Sequence, residues 1–108
     1  MALTMTRTRT QTTLTKLARL TAETNGELAF VERLLAEMPE HNEVLEARRL
    51  VLLSARDALY ATIRQFDATI DPETIGSSEV WRKKVLPRVQ DRRMAERYLT
   101  LLAQLLPR

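Results

Sequence analysis

The stretch VWRKKVLPRVQDRR, residues 80–93, holds Trp81, Arg82, Lys83, Lys84, Arg88, Arg92 and Arg93. Lys84, Arg88 and Arg92 fall at i, i+4 and i+8, one ridge of a helix if the bend at Pro87 is mild. Evenly spaced cations can track phosphates, and an indole beside them can stack on a base. Trp81, Lys84, Arg88 and Arg92 are therefore candidate nucleic-acid contacts. The plainer reading turns these cations toward the acidic segment 67–79, or toward Asp91 and Glu96, and uses Trp81 to plug the end of a bundle. No helix-turn-helix spacing or zinc-finger pattern adds to the nucleic-acid case.

Other chemistry finds less support. His41 is the only histidine. Glu40, Glu43 and Glu46 line up at i, i+3 and i+6 beside it, but a carboxylate-bridged metal pair wants Glu-x-x-His on two helices, and neither copy exists. These acids suit the positive start of a helix instead. Ser54, Ser77 and Ser78 sit in no elbow motif, and one histidine supports no recognisable triad. Gly26 and Gly76 stand alone, so there is no glycine-rich phosphate loop. With no cysteine, disulfides, thiolate metal sites and thiol nucleophiles are excluded. The expectation is a protein that is not an enzyme and takes no metal or cofactor.

The elements that must position the cations are helical in pattern. The 108 residues include 18 leucines and 12 alanines but only two glycines, a helix-former composition. Five aromatics are few for a sandwich or barrel. Leu14, Leu17, Thr21, Thr24, Leu28, Val31, Leu35 and Met38 form an unbroken a/d series. Asn25-Gly26 interrupts it, yet the phase is kept across the glycine, which favours one long helix from about Thr13 to Met38. On that reading Gly26→Ala should stabilise by about 0.5–1 kcal/mol through helix propensity; if Gly26 is a left-handed cap, it should destabilise. Pro39 ends the helix. A second runs from about His41 to Ala68, with Leu45, Leu52, Leu59 and Phe66 every seven residues. Asp71-Pro72-Glu73 reads as N-cap, N1 and first-turn acid of a short turn. Ser78 caps a segment to about Leu86, Pro87 breaks or kinks it, and a last helix covers about Arg88 to Leu106.

Before all this, threonine occupies every even position from Thr4 to Thr12. Period two is a strand signal, but a lone strand in a helical chain leaves its backbone unpaired. Pairing across a dimer and a transit peptide are alternatives; the favoured reading is a flexible basic arm over residues 1–12. Charge runs in blocks, with residues 1–22 at +4, 23–46 at −6, 47–66 at +3, 67–79 at −4 and 80–108 at +6. Such blocks can neutralise one another between antiparallel helices, so the pI near 9.8 is weak evidence for nucleic acid.

The last helix carries two apolar lines. Met94, Tyr98, Leu101 and Leu105 form one, and Ala95, Leu99, Leu102 and Leu106 the other. A helix outside a monomeric bundle needs only one stripe, so this one is sandwiched or covered by a second chain. Tyr98, Leu99, Leu102 and Leu106 are candidate self-association residues. The expected fold is an all-α antiparallel bundle, a long helical hairpin over 13–68 with a kinked third helical region over 78–106, forming one domain over 13–108. The favoured function is a non-catalytic assembly or adaptor module that acts through protein–protein contacts and self-association, with a dimer favoured; the alternative is a small nucleic-acid-binding subunit using the basic set at 82–97. No run is long enough to span a membrane, and the lack of cysteine and of a secretory segment fits the cytoplasm.

Overall fold

The computed structural model describes residues 2–105, with the side chains of residues 9–90 and 92–105. Its elements are α1 (Ala2–Glu37), a 3-10 turn (Pro39–His41), α2 (Asn42–Phe66), a second 3-10 turn (Pro72–Thr74), α3 (Trp81–Val85) and α4 (Asp91–Leu105). Every regular element among the described residues is helical, and α1 and α2 form the long antiparallel hairpin the apolar periodicity implies.

Helix α1 starts at Ala2, not near Thr13. The threonine alternation belongs to no strand and is not set off from the helix by any break. A helix pairs its own backbone groups and so needs no neighbouring chain. It also serves threonine, whose hydroxyl can bond the carbonyl four residues back. Thr15, Thr21 and Thr24 donate in this way to Gln11, Leu17 and Leu20, each at 2.8 Å. With 36 residues against 25, α1 outruns α2 by about three turns. Between Arg9 and Thr12 the side chains are exposed or half-buried. Removing residues 1–10 is therefore expected to leave the melting temperature almost unchanged while far-UV circular dichroism loses a few turns of helix. A fall of more than several degrees in calorimetry would mean that this end is packed.

The hairpin turns where Pro39 pushes Met38 out of helical conformation, to φ −132° and ψ 64°. The a/d seam of α1 packs on α2, with Leu28 and Val31 in one buried cluster with Leu45 and Leu52, and Thr21 is also buried. The seven-residue series of α2 does not hold to its end, for Phe66 is 48% exposed. A straight helix drifts about 20° per heptad, so three heptads carry Phe66 roughly 60° off the seam that Leu45 begins.

After α2 the chain returns along α1. Asp71 caps the second 3-10 turn as its sequence suggests, its Oδ1 accepting from the Glu73 N–H at 3.1 Å. Segment 75–81 then docks on the middle of α1. The Ser78 N–H donates to the Ala22 carbonyl at 2.9 Å. Asn25 Nδ2 donates to the carbonyls of Ile75 and Gly76, both at 3.2 Å. Gly26 makes this approach possible. A Cβ there would stand 2.9 Å from Trp81 Cδ1 and 3.0 Å from the Ser78 carbonyl carbon, with the Ser78 oxygen closer still. Helix α1 runs unbroken through Gly26, as the phase of the seam implies, and no glycine has positive φ. The stabilisation by Gly26→Ala expected for a continuous helix does not follow, because the glycine serves close packing rather than the helix.

Helix α3 seats Trp81 in the core, where its ring centroid lies 5.4 Å from Phe30 and 5.7 Å from Tyr98. Pro87 breaks the third region outright. Leu86 leaves the helix at φ −132°, Arg88 is left-handed at φ 64°, and helix resumes at Asp91. Helix α4 brings Met94, Tyr98, Leu99 and Leu102 into the same core.

Candidate nucleic-acid interface

The break at Pro87 decides where the cations go. Lys84 lies on α3, before it, and Arg92 on α4, after it, so Lys84, Arg88 and Arg92 form no continuous ridge. Lys84 Nζ instead meets Glu23 of α1, at 2.9 Å from Oε1 and 3.1 Å from Oε2. Trp81 is 3% exposed, so its indole belongs to the core and is closed to a base. The plainer reading of Trp81 as a plug holds. The acidic segment 67–79 meets the basic set at Glu79, which pairs with Arg82. Asp67 is taken by the backbone N–H and hydroxyl of Thr69, which hold its carboxyl below the usual range.

Arg88 and Arg92 do come together, and Arg93 and Arg97 join them. With Val89 and Gln90 these four arginines line an open cavity of about 350 Å³ at the start of α4. Arg92 and Arg93 lie in the first turn of a 15-residue helix, where the positive end of the helix dipole adds to their potential. Arg97 follows one turn later. Arg88 reaches the cavity from a left-handed backbone that costs a non-glycine residue roughly 1–2 kcal/mol. No acidic side chain among the described residues pairs with any of the four.

The acids are engaged elsewhere. Glu37 lies 3.9 Å from Arg33, and Arg49 takes Glu46 at 3.0 Å and Glu32 at 3.8 Å. Glu27, buried at 5% exposure, receives Arg48 on both oxygens, Nε at 2.7 Å and a terminal nitrogen at 3.1 Å. It also accepts from the Tyr98 hydroxyl at 2.5 Å. Burial pushes the Tyr98 phenol well up, and the bond to Glu27 adds to this; the same carboxylate raises Arg48. Among the described residues the cancellation between charge blocks thus occurs across the α1–α2 hairpin and at α3, through Glu23 with Lys84 and Glu79 with Arg82, and leaves the α4 arginines out.

No protein-family model, curated protein or solved structure matches this chain.

The candidate self-association residues are placed differently from the expectation. Tyr98 is fully buried, Leu102 is 4% exposed and Leu99 9%, all within one chain. Leu106 lies outside the described residues. Within the single chain α4 packs on both α1 and α2. Tyr98 faces Phe30 and Glu27 of α1, while α4 also packs on α2. Among the described residues the large apolar side chains left exposed are Leu20, Leu50, Val51, Phe66, Val80 and Leu105, with Leu105 at 62%, Leu50 at 59% and Val51 at 55% the most open.

Among the described residues no three histidine, cysteine or acidic side chains gather as a metal site. Among the described residues no helix is long and apolar enough to cross a membrane.

Proposed function

We propose that the chain is a small non-catalytic nucleic-acid-binding subunit that grips phosphates with Arg88, Arg92, Arg93 and Arg97. The observation that carries this reading is the convergence of four guanidinium groups on one open cavity, with no carboxylate among its described lining residues; the side chain of Asp91 lies outside the described ones. Guanidinium presents a planar fork of donors that matches phosphate oxygens. With Trp81 in the core, stacking is absent from the contact set, so binding is electrostatic and largely indifferent to base sequence.

The test is the salt dependence of binding to a mixed oligonucleotide pool. Three or four neutralised phosphates give a log–log slope between about −2 and −4, at roughly 0.7 per contact on single strands and 0.9 on duplex. Arg92→Gln is expected to reduce the slope by nearly one unit without changing the melting temperature, since the side chain is exposed and pairs with no described acid. Lys84→Gln serves as the control and leaves the slope alone, because Lys84 is bound to Glu23. Absence of binding at about 0.15 M salt, near the physiological ionic strength, refutes the reading.

The adaptor reading stands second. Much of the apolar surplus that favours it in the sequence is consumed by the core, and the adjacent pair left open is on the outer side of α2. Leu50 and Val51 are the observation in its favour, as adjacent exposed apolar side chains suited to a protein partner or a second copy. Sedimentation of the wild type beside Leu50→Glu reports on it directly.

A further inference from the structure

The arginine site is a hollow rather than a stripe. Arg88, Val89 and Gln90 reach the cavity from the segment before α4, and Arg92, Arg93 and Arg97 reach it from α4 itself. The Arg93 N–H donates to the Gln90 carbonyl at 2.9 Å and ties the two contributions together. All four arginines are exposed, so their cations are open to a ligand, while Val89 is half-buried and packs against the core. Arg88 is the one non-glycine residue with positive φ among the described residues, at 64°. Backbone held in this region clusters at ligand sites, where the surrounding structure over-determines it. The cavity, at about 350 Å³, has the size of a small ligand pocket, for which the range is roughly 300–1,000 Å³.

An internal phosphate is a poor match for this form. It carries one charge and two free oxygens, and its chain continues on both sides. A protein that follows such a chain spaces its cations along a groove, and the break at Pro87 removes the ridge that would do so. Four cations around one hollow suit a compact group of higher charge. A phosphate ester at the end of a strand carries about −1.5 to −2 charges at pH 7, with three strong acceptor oxygens and chain on one side only. Two guanidinium forks can share those oxygens, which leaves two arginines for the next phosphates of the strand. We infer, resting on the phosphate-gripping reading of this cavity, that it takes a terminal phosphomonoester of a nucleic acid, so that the protein binds strand ends in preference to strand interiors. Gln90 lines the same cavity with a carboxamide that both donates and accepts, and serves the first sugar. A 5′ and a 3′ end present the same phosphate group to the arginines, so the experiment separates the two.

The full chain is titrated, at about 0.15 M salt, with short single strands of one sequence that carry an internal dye and leave both ends free. One strand ends in hydroxyls, one in a 5′-phosphate and one in a 3′-phosphate. A fourth ends in hydroxyls and is longer by two nucleotides, which supplies the charge of the phosphate it lacks. Fluorescence anisotropy is expected to show at least tenfold tighter binding of one or both phosphorylated strands than of either hydroxyl-ended strand. Arg88→Gly should remove most of that excess. Glycine accepts the left-handed backbone, so this variant is expected to fold with an unlowered melting temperature. If it does not fold, Arg92→Gln carries the same readout. Lys84→Gln should keep the excess, because Lys84 is held by Glu23. Equal affinity for the phosphorylated strands and the lengthened strand means that only total charge counts, which overturns the terminal site and leaves phosphate gripping intact. Binding of no strand refutes both. An excess that survives Arg88→Gly and Arg92→Gln belongs to another part of the surface and also overturns the inference.

Discussion

Gly26→Ala is expected to destabilise the protein by about 2 kcal/mol or more, although it places a better helix former inside a helix. Propensity favours alanine by about 1 kcal/mol. Against this, the new methyl must displace backbone at Ser78 and the edge of Trp81. Overpacking typically costs about 1–3 kcal/mol, toward the upper end where backbone rather than a side-chain tip has to yield. The shift would also weaken the bonds from Ser78 to Ala22 and from Asn25 to Ile75 and Gly76, each worth about 1 kcal/mol. For a chain of this size the melting temperature should fall by roughly 10 °C. Trp81 emission should move to the red as its packing on Phe30 and Tyr98 loosens. A melting temperature that stays level or rises would mean that propensity wins and that segment 75–81 does not dock on α1.

Arg48→Ala is expected to be the most damaging single change, at about 2–4 kcal/mol in urea unfolding. Truncating one member of a buried pair leaves the other charged and unpaired, which typically costs about 3–5 kcal/mol. The figure is reduced here because the Arg48 side chain is 26% exposed and water can reach the site. Tyr98→Phe takes away one hydrogen bond to a charged group and should cost less, about 1.5–3 kcal/mol. The double replacement Glu27→Leu with Arg48→Met should recover most of the loss, since a well-packed apolar pair often equals or exceeds a buried ion pair in stability. If Arg48→Ala costs under about 1 kcal/mol, the pair behaves as an exposed one and the network contributes specificity at most.

The sequence shows most of the architecture because its signals are local. The seam from Leu14 to Met38 carries α1, and the prolines at 39 and 87 show in the extended φ of Met38 and Leu86. The threonine alternation misleads because one side chain serves two backbones, branched enough for a strand and able to return its hydroxyl to a helix. Gly26 illustrates a different limit. Its continuity within α1 is legible, but its purpose depends on Ser78 and Trp81, more than fifty residues away. Tyr98 and Trp81 are amphipathic, so their types suit an interface, a stacking site or a core alike, and only the packing chooses. In the arginine cavity, Arg93 and Arg97 are visible as an i, i+4 pair. The left-handed turn that delivers Arg88 beside them is not, since arginine carries no preference for it.

The Asn25-Gly26 step has a chemical consequence as well. In an unfolded chain an asparagine before glycine is prone to deamidate, because the next backbone nitrogen is free to attack the side-chain carbonyl and close a succinimide. In α1 that nitrogen is held by the helix, and Nδ2 of Asn25 is tied to Ile75 and Gly76. The reaction therefore requires local opening of α1 and release of segment 75–81. Damage at Asn25 then accumulates only in molecules that have opened there, and its rate keeps a record of how often the middle of the long helix comes undone.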